Sequence, residues 1–215
     1  MFTEGLDLTA RKEGILIAIE GCDGSGKSEL AKRLTDHLNS IGIKTIASRE
    51  PGGCKISEDI RNVILNNKDL KPETEALLFA AARTQHIYDT ILPALSDGTN
   101  VITDRYISSS YAYQGYARFL GEKYISKINP NFPPDLVIYL DINPDIALDR
   151  IYENNRDTNR FDEQSISFHQ IARLGFKRTA KLFNTIQIDA RKDRDEVFEE
   201  ALKYIITYFN FNKEA

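Results

Sequence analysis

Residues Gly21 to Ser28 read GCDGSGKS and follow directly on Gly14 to Glu20, GILIAIE, a short apolar run rich in β-branched residues. The order G-x-x-x-x-G-K-S, at a point where a buried strand turns into a helix, makes a phosphate-binding loop, and few folds can host one. Its glycines let successive backbone N–H groups converge on phosphate oxygens, and the following helix N-terminus adds positive potential. Gly21, Cys22, Asp23, Gly24, Ser25, Gly26, Lys27 and Ser28 are therefore the expected ATP contacts. Lys27 is expected at the β and γ phosphates and the Ser28 hydroxyl at a magnesium ion. The bland alternative is a glycine-rich turn that binds nothing. It would need neither the strand before the loop nor the Leu30, Leu34, Leu38 stripe at helical spacing after it.

Similar apolar runs recur at Ile43–Ser48, Asn100–Thr103, Leu136–Asp141 and Ile186–Asp189, separated by stretches of helical spacing. Strands alternating with helices predict an α/β fold: a P-loop three-layer sandwich whose five-stranded parallel sheet carries helices on both faces. Residues 1–215 are expected to form a single domain. Pro72, with Glu73 and Glu75 behind it, reads as a helix start whose acidic residues oppose the positive helix end, and that helix carries Phe79 and Arg83. Val197, Ala201, Ile205 and Tyr208 predict a closing helix with one apolar face. Tyr152 to Arg160, YENNRDTNR, is polar and lacks aliphatic anchors, so a mobile lid is expected around residues 150–160.

Charge and cysteine content narrow the surroundings. With 28 basic and 32 acidic side chains the net charge is −4, which offers no field to a polyanion, and no nucleic-acid partner is expected. Two cysteines, Cys22 and Cys54, cannot build a disulfide framework, and Met1 to Gly14 lacks the apolar core of a secretion signal, so a cytoplasmic setting is expected. No apolar run approaches the roughly 20 residues a membrane span needs.

The class of phosphate chemistry follows from what lies beyond the loop. A GTPase needs Asn-Lys-x-Asp, and Asn67-Lys68-Asp69-Leu70 puts the aspartate one place too early. The chain also has no room for the partner domain through which a motor or transport ATPase couples hydrolysis. Instead, VITDRY at Val101–Tyr106 sets Asp104 and Arg105 at the carboxyl end of a buried strand, the edge where open α/β sheets bind ligands. An aspartate there suits the metal, and an arginine suits a second anionic group held bidentately. The competing reading makes these two a structural ion pair.

Taken with REPGG (Arg49–Gly53), LLFAAARTQH (Leu77–His86), DRY (Asp104–Tyr106) and SSSYAYQG (Ser108–Gly115), the chain resembles the thymidylate kinases, which phosphorylate dTMP with magnesium-ATP. The resemblance runs from the P-loop to the last strand. It implies that Asp23 faces the acceptor sugar, that Arg105 binds the acceptor phosphate, and that Glu50 and Pro51 line the pocket. By the same resemblance Phe79 stacks on thymine, Arg83 reaches a base carbonyl, Ser110 and Gln114 read the base edge, and Tyr113 crowds a ribose 2′-hydroxyl. A homodimer is implied too. Each residue also has a dull reading: Phe79 as core, Arg83 as a solvated helix charge, the serines and tyrosines of 108–113 as helix packing.

Phosphoryl transfer needs a cation beyond magnesium and Lys27. Some thymidylate kinases carry an arginine inside the P-loop, where this chain has Gly24, and others supply it from a lid. Arg150, Arg156 and Arg160 are the candidates, with Arg156 favoured as catalytic. His37, His86 and His169 are read as surface residues, and Cys22 as a small filler made somewhat reactive by the nearby helix N-terminus. Two alternatives stay beside a dTMP kinase: a kinase for another monophosphate (dUMP or CMP), and a P-loop protein that binds nucleotide without transferring phosphate.

Overall fold

A computed structural model of the chain describes residues 13–153 and 159–213. In chain order β1 (Leu16–Gly21) leads through the P-loop into α1 (Lys27–Ser40), then β2 (Thr45–Arg49), α2 (Lys55–Asn66) and α3 (Pro72–His86). A π-helical stretch, Ile87–Ile91, joins α3 to α4 (Leu92–Ser96), followed by β3 (Asn100–Asp104) and the short α5 (Ile107–Ser110). That turn continues as a second π-helical stretch, Tyr111–Ala117, before α6 (Glu122–Ile128), β4 (Leu136–Asp141), α7 (Pro144–Glu153), α8 (Ile166–Thr179), β5 (Thr185–Asp189) and α9 (Arg194–Lys213).

The five strands are all parallel, in the order β2-β3-β1-β4-β5. Both faces of β1 are covered, and its side chains divide by pleat. Ile17 and Ile19 pack with α1 and α9, while Leu16 and Ala18 pack with Ile91, Leu95 and Tyr106 on the opposite face. This double burial produced the uninterrupted apolar runs of the sequence. α9 docks through Val197, Ala201 and Ile205, as its periodicity predicts.

β1 sends the chain outward to β2, whereas β3 sends it back across β1 to β4. Connections leaving these two neighbours therefore diverge and open a crevice at the carboxyl edge. Register brings Ile19 level with Asp104, and Arg49 level with the same residue from the other side. The ends of β1, β2 and β3 thus meet where the P-loop begins.

Two boundaries depart from the sequence reading. The first strand starts at Leu16 rather than Gly14, because Gly14 N donates to Leu95 O (3.1 Å) and Ile15 N to Asn100 Oδ1 (3.0 Å). Those bonds go to a backbone oxygen in α4 and to a side chain at the start of β3, so they do not extend the ladder of backbone pairs. The polar stretch read as a loop from Tyr152 begins inside α7, which continues through Glu153. Among the described residues no helix is long and apolar enough to cross a membrane.

Candidate active site

The P-loop closes around its own lysine. Lys27 is buried, donates to Cys22 O at 2.6 Å and lies 3.9 Å from Asp23 Oδ1. Burial, helped by the positive charge of Arg105, pulls its ammonium below the usual lysine range. Burial pushes the Cys22 thiol up to about 11, so the expected reactivity is not supported: removal from water outweighs the cations around it.

Gly24 has φ of +81°, and a Cβ built on it would sit 2.0 Å from the carbonyl oxygen of Ala147 in α7. Backbone conformation and space both demand glycine there. The Ser28 hydroxyl donates to Asp104 Oδ2, and Asp104 Oδ1 is buried with no hydrogen-bond partner among the described residues.

Arg105 occupies the junction between this loop and a cleft beside it. Its backbone is left-handed, φ +68°, which turns the chain sharply out of β3 and aims the side chain back over the loop. Arg105 Nη2 lies 2.9 Å from Asp23 Oδ1, while Nη1 donates to Gly21 O at 2.9 Å and to Ser109 Oγ at 3.1 Å. The ion pair that forms is thus Arg105 with Asp23, and not Arg105 with Asp104.

Beneath it Glu20, wholly buried on β1, accepts from the backbone N–H groups of Tyr106 (2.9 Å) and Ser109 (3.1 Å) and from the Ser109 hydroxyl (2.6 Å). Burial pushes the Glu20 carboxyl up to about 7 from 4.5, against the lowering effect of those bonds and of Arg105. Between these two pH values the folded protein keeps a proton that the unfolded chain has released. Stability therefore falls as pH rises through this window, by roughly 3 kcal/mol, and levels off above it. Glu20→Gln removes the titration. Chemical denaturation at pH 5, 6, 7 and 8 should find the variant gaining on the parent as pH rises; a constant gap would contradict the assignment.

That cleft reaches from Arg105 to Phe161. Asp23, Glu50, Pro51, Phe79, Arg83, Arg105, Ser110, Tyr113 and Gln114 all line it. The π-helical stretch after α5 turns Tyr113 and Gln114 toward it, and such stretches often sit at functional sites. Phe79 and Tyr113 each approach Phe161 edge-on, with ring centroids 6.0 and 6.2 Å away, which gives the cleft an aromatic end.

Arg83 is no solvated helix charge. It is buried, with Nε donating to Glu50 Oε2 at 2.7 Å and Nη1 to Ser110 Oγ at 2.9 Å. His86 Nδ1 lies 3.0 Å from the other oxygen of Glu50, so both oxygens of Glu50 have partners in helix α3.

Several expectations need correction. His86 and His169 are buried, not on the surface, because the polar residues beside them in sequence point to other faces of their helices. Glu75 stands in the first turn of α3, as read, but it is also fully buried against Gln114, Arg118 and Arg160. Arg160 is not a loop charge: it is buried, its Nη2 lies 2.6 Å from Glu75 Oε2, and its guanidinium stacks 4.4 Å over Phe161. Arg150 donates to Ala190 O at 2.9 Å. Arg156 lies outside the described residues.

Sequence reasoning also passed over Arg61, Leu65, Tyr106, Ser109 and Phe161, which line the cleft. Tyr106 and Ser109 had a signal, through their places in DRY and SSSYAYQG.

A family model described as Thymidylate kinase matches residues 19–201, most of the chain and all of the site just described. The chain belongs to the thymidylate kinase family. Among curated thymidylate kinases it is 44% identical to that of Clostridium novyi (strain NT) over 202 residues, covering 90% of this chain and 98% of the relative. It is 45% identical to the thymidylate kinase of Geobacillus sp. (strain WCH70) over 195 residues, 86% and 93% of the two chains. That of Geobacillus thermodenitrificans (strain NG80-2) is 40% identical over 209 residues, 93% of each. Arg105 stands between the P-loop and the cleft.

Proposed function

We propose that the protein transfers the γ-phosphoryl group of ATP to dTMP, giving dTDP and ADP. The observation that carries this reading is the 2.9 Å Asp23–Arg105 pair, which joins a phosphate-binding loop to a cleft lined by Phe79, Arg83 and Gln114. The P-loop amides and Lys27 hold the ATP phosphates. Arg105 exchanges part of its bonding to Asp23 for the acceptor phosphate, and Asp23, so released, accepts from the sugar hydroxyl. Phe79 stacks on the base. Arg83 reaches a base carbonyl through Nη2, which makes no hydrogen bond among the described residues, while Ser110 and Gln114 meet the base edge. Glu50 and Pro51 back the sugar and phosphate, and Tyr113 fills the space a ribose 2′-hydroxyl would need. Glu50 acts there through Arg83 and His86, since both of its oxygens are taken.

The oxygen donors Ser28 and Asp104, one carboxylate oxygen being buried and unpartnered, fit Mg²⁺. Ser28 and Asp104 would hold such an ion, and it would supply positive charge to the donor phosphates. The protein works as one domain with a lid around residues 150–160, in the cytoplasm, as a homodimer.

The test offers magnesium-ATP and a panel of monophosphates to the purified protein while ADP and diphosphate are both quantified. Selective dTDP formation is expected. ADP release without dTDP, or ATP binding without turnover, would overturn the reading.

Arg156 is the proposed lid cation, since Arg150 and Arg160 already have protein partners. Arg156→Ala is expected to lower kcat by about 10²-fold or more with dTMP affinity within about threefold of the parent, because the partner charge develops in the transition state. Stopped-flow turnover and dTMP titration check this, and an unchanged kcat refutes it.

A further inference from the structure

Glu75 presents both carboxylate oxygens to the wall of the acceptor cleft. Gln114 Nε2 donates to Oε1 at 2.8 Å, and Arg118 Nε lies 3.4 Å from the same oxygen. Arg160 Nη2 (2.6 Å) and Arg118 Nη2 (3.3 Å) lie against Oε2. A carboxylate binding two guanidiniums only accepts, so the Gln114 amide must turn its nitrogen toward Glu75. Its oxygen is then left over. Gln114 Oε1 takes no hydrogen bond among the described residues, and Gln114 lines the cleft.

The geometry points to Glu75 as a positioning residue for acceptor specificity: by fixing the Gln114 amide it presents the base with an obligatory acceptor beside the Arg83 donor. The inference rests on the reading that the cleft holds the acceptor base. A donor next to an acceptor complements a base edge with a carbonyl beside a ring N–H, as in thymine. Cytosine offers an amino group beside an unprotonated ring nitrogen, the reverse pattern, and would leave both protein groups facing their like. If the amide were free to flip, Gln114 would serve either base. Removing its orienting partner therefore relaxes selectivity without touching the substrate.

The experiment is a double-mutant cycle read as the ratio of kcat/KM for dTMP to that for dCMP, in the parent, Glu75→Gln, Gln114→Leu and the double variant. Glu75→Gln is expected to lower the ratio by about tenfold or more, through a raised KM for dTMP and gained use of dCMP. In the Gln114→Leu background the same substitution should change the ratio by less than about twofold. An unmoved ratio, or an equal fall in both backgrounds, overturns the role.

A second measurement needs no substitution at Glu75, where two guanidiniums would lose their charge partner. The side-chain amide resonances of Gln114, assigned by their loss in Gln114→Leu, should be protected from hydrogen exchange in the dTMP complex. Rapid exchange overturns the proposal. Failure of the unsubstituted protein to phosphorylate dTMP would instead remove the functional reading beneath it.

Discussion

Arg105→Met should lower kcat/KM for dTMP by about 10³-fold or more, the scale of removing a bidentate cation from an anion-transfer site. Methionine keeps much of the side-chain length but can neither hold the acceptor phosphate nor screen it from the donor. If Arg105 meets that phosphate before and during transfer, as proposed, KM should rise and kcat fall together. Steady-state assays with varied dTMP at saturating ATP separate the two. A loss below about tenfold would leave Arg105 as a structural partner of Asp23 and Gly21 only.

Gly24→Ala is the second large effect, and it acts on folding and ATP binding at once. The new methyl would meet the carbonyl of Ala147 at 2.0 Å and its carbonyl carbon at 2.8 Å, and φ of +81° already disfavours any side chain. Backbone cannot swing aside as a long side chain can, so α7 or the loop must shift. Overpacking and strain together cost about 2–6 kcal/mol. For a chain of this size that lowers Tm by roughly 10 °C, and the distorted loop should also lose the rise in Tm that ATP confers on the parent. A variant melting within about 2 °C of the parent, with its response to ATP intact, would contradict the argument. The same crowding explains why an arginine inside the P-loop has no place here: its Cβ would need the space that α7 fills.

Much of the architecture was legible because burial on both sheet faces leaves its mark on single residues. β1 and β4 are apolar along most of their length, and the polar residues and glycine at their carboxyl ends announce the edge where ligands bind. The P-loop was legible because backbone convergence on phosphate restricts the residues allowed at each place.

Partner choice across long separations was not. Glu75 lies 85 positions from Arg160, and Glu50 lies 33 from Arg83, and periodicity reports which face is buried without saying what meets it. α3 disguised its burial further, for it is packed on several sides and its polar residues satisfy one another inside the protein. His86, facing Ser48 and Glu50, was misread for that reason. Boundaries failed where a side chain or a corner replaced the ladder, as Asn100 does for Ile15.

Glu20 belongs to the strand that becomes the donor loop, yet it clasps the amides of Tyr106 and Ser109 at the start of the acceptor wall. The P-loop and the near wall of the cleft are therefore tied into one block through a single buried carboxylate, like the fixed jaw of a vice. Acceptors altered at the base should be accommodated by adjustment around Phe79 and Phe161. Acceptors whose phosphate is displaced by even one extra bond should not, because the block has no joint with which to follow them.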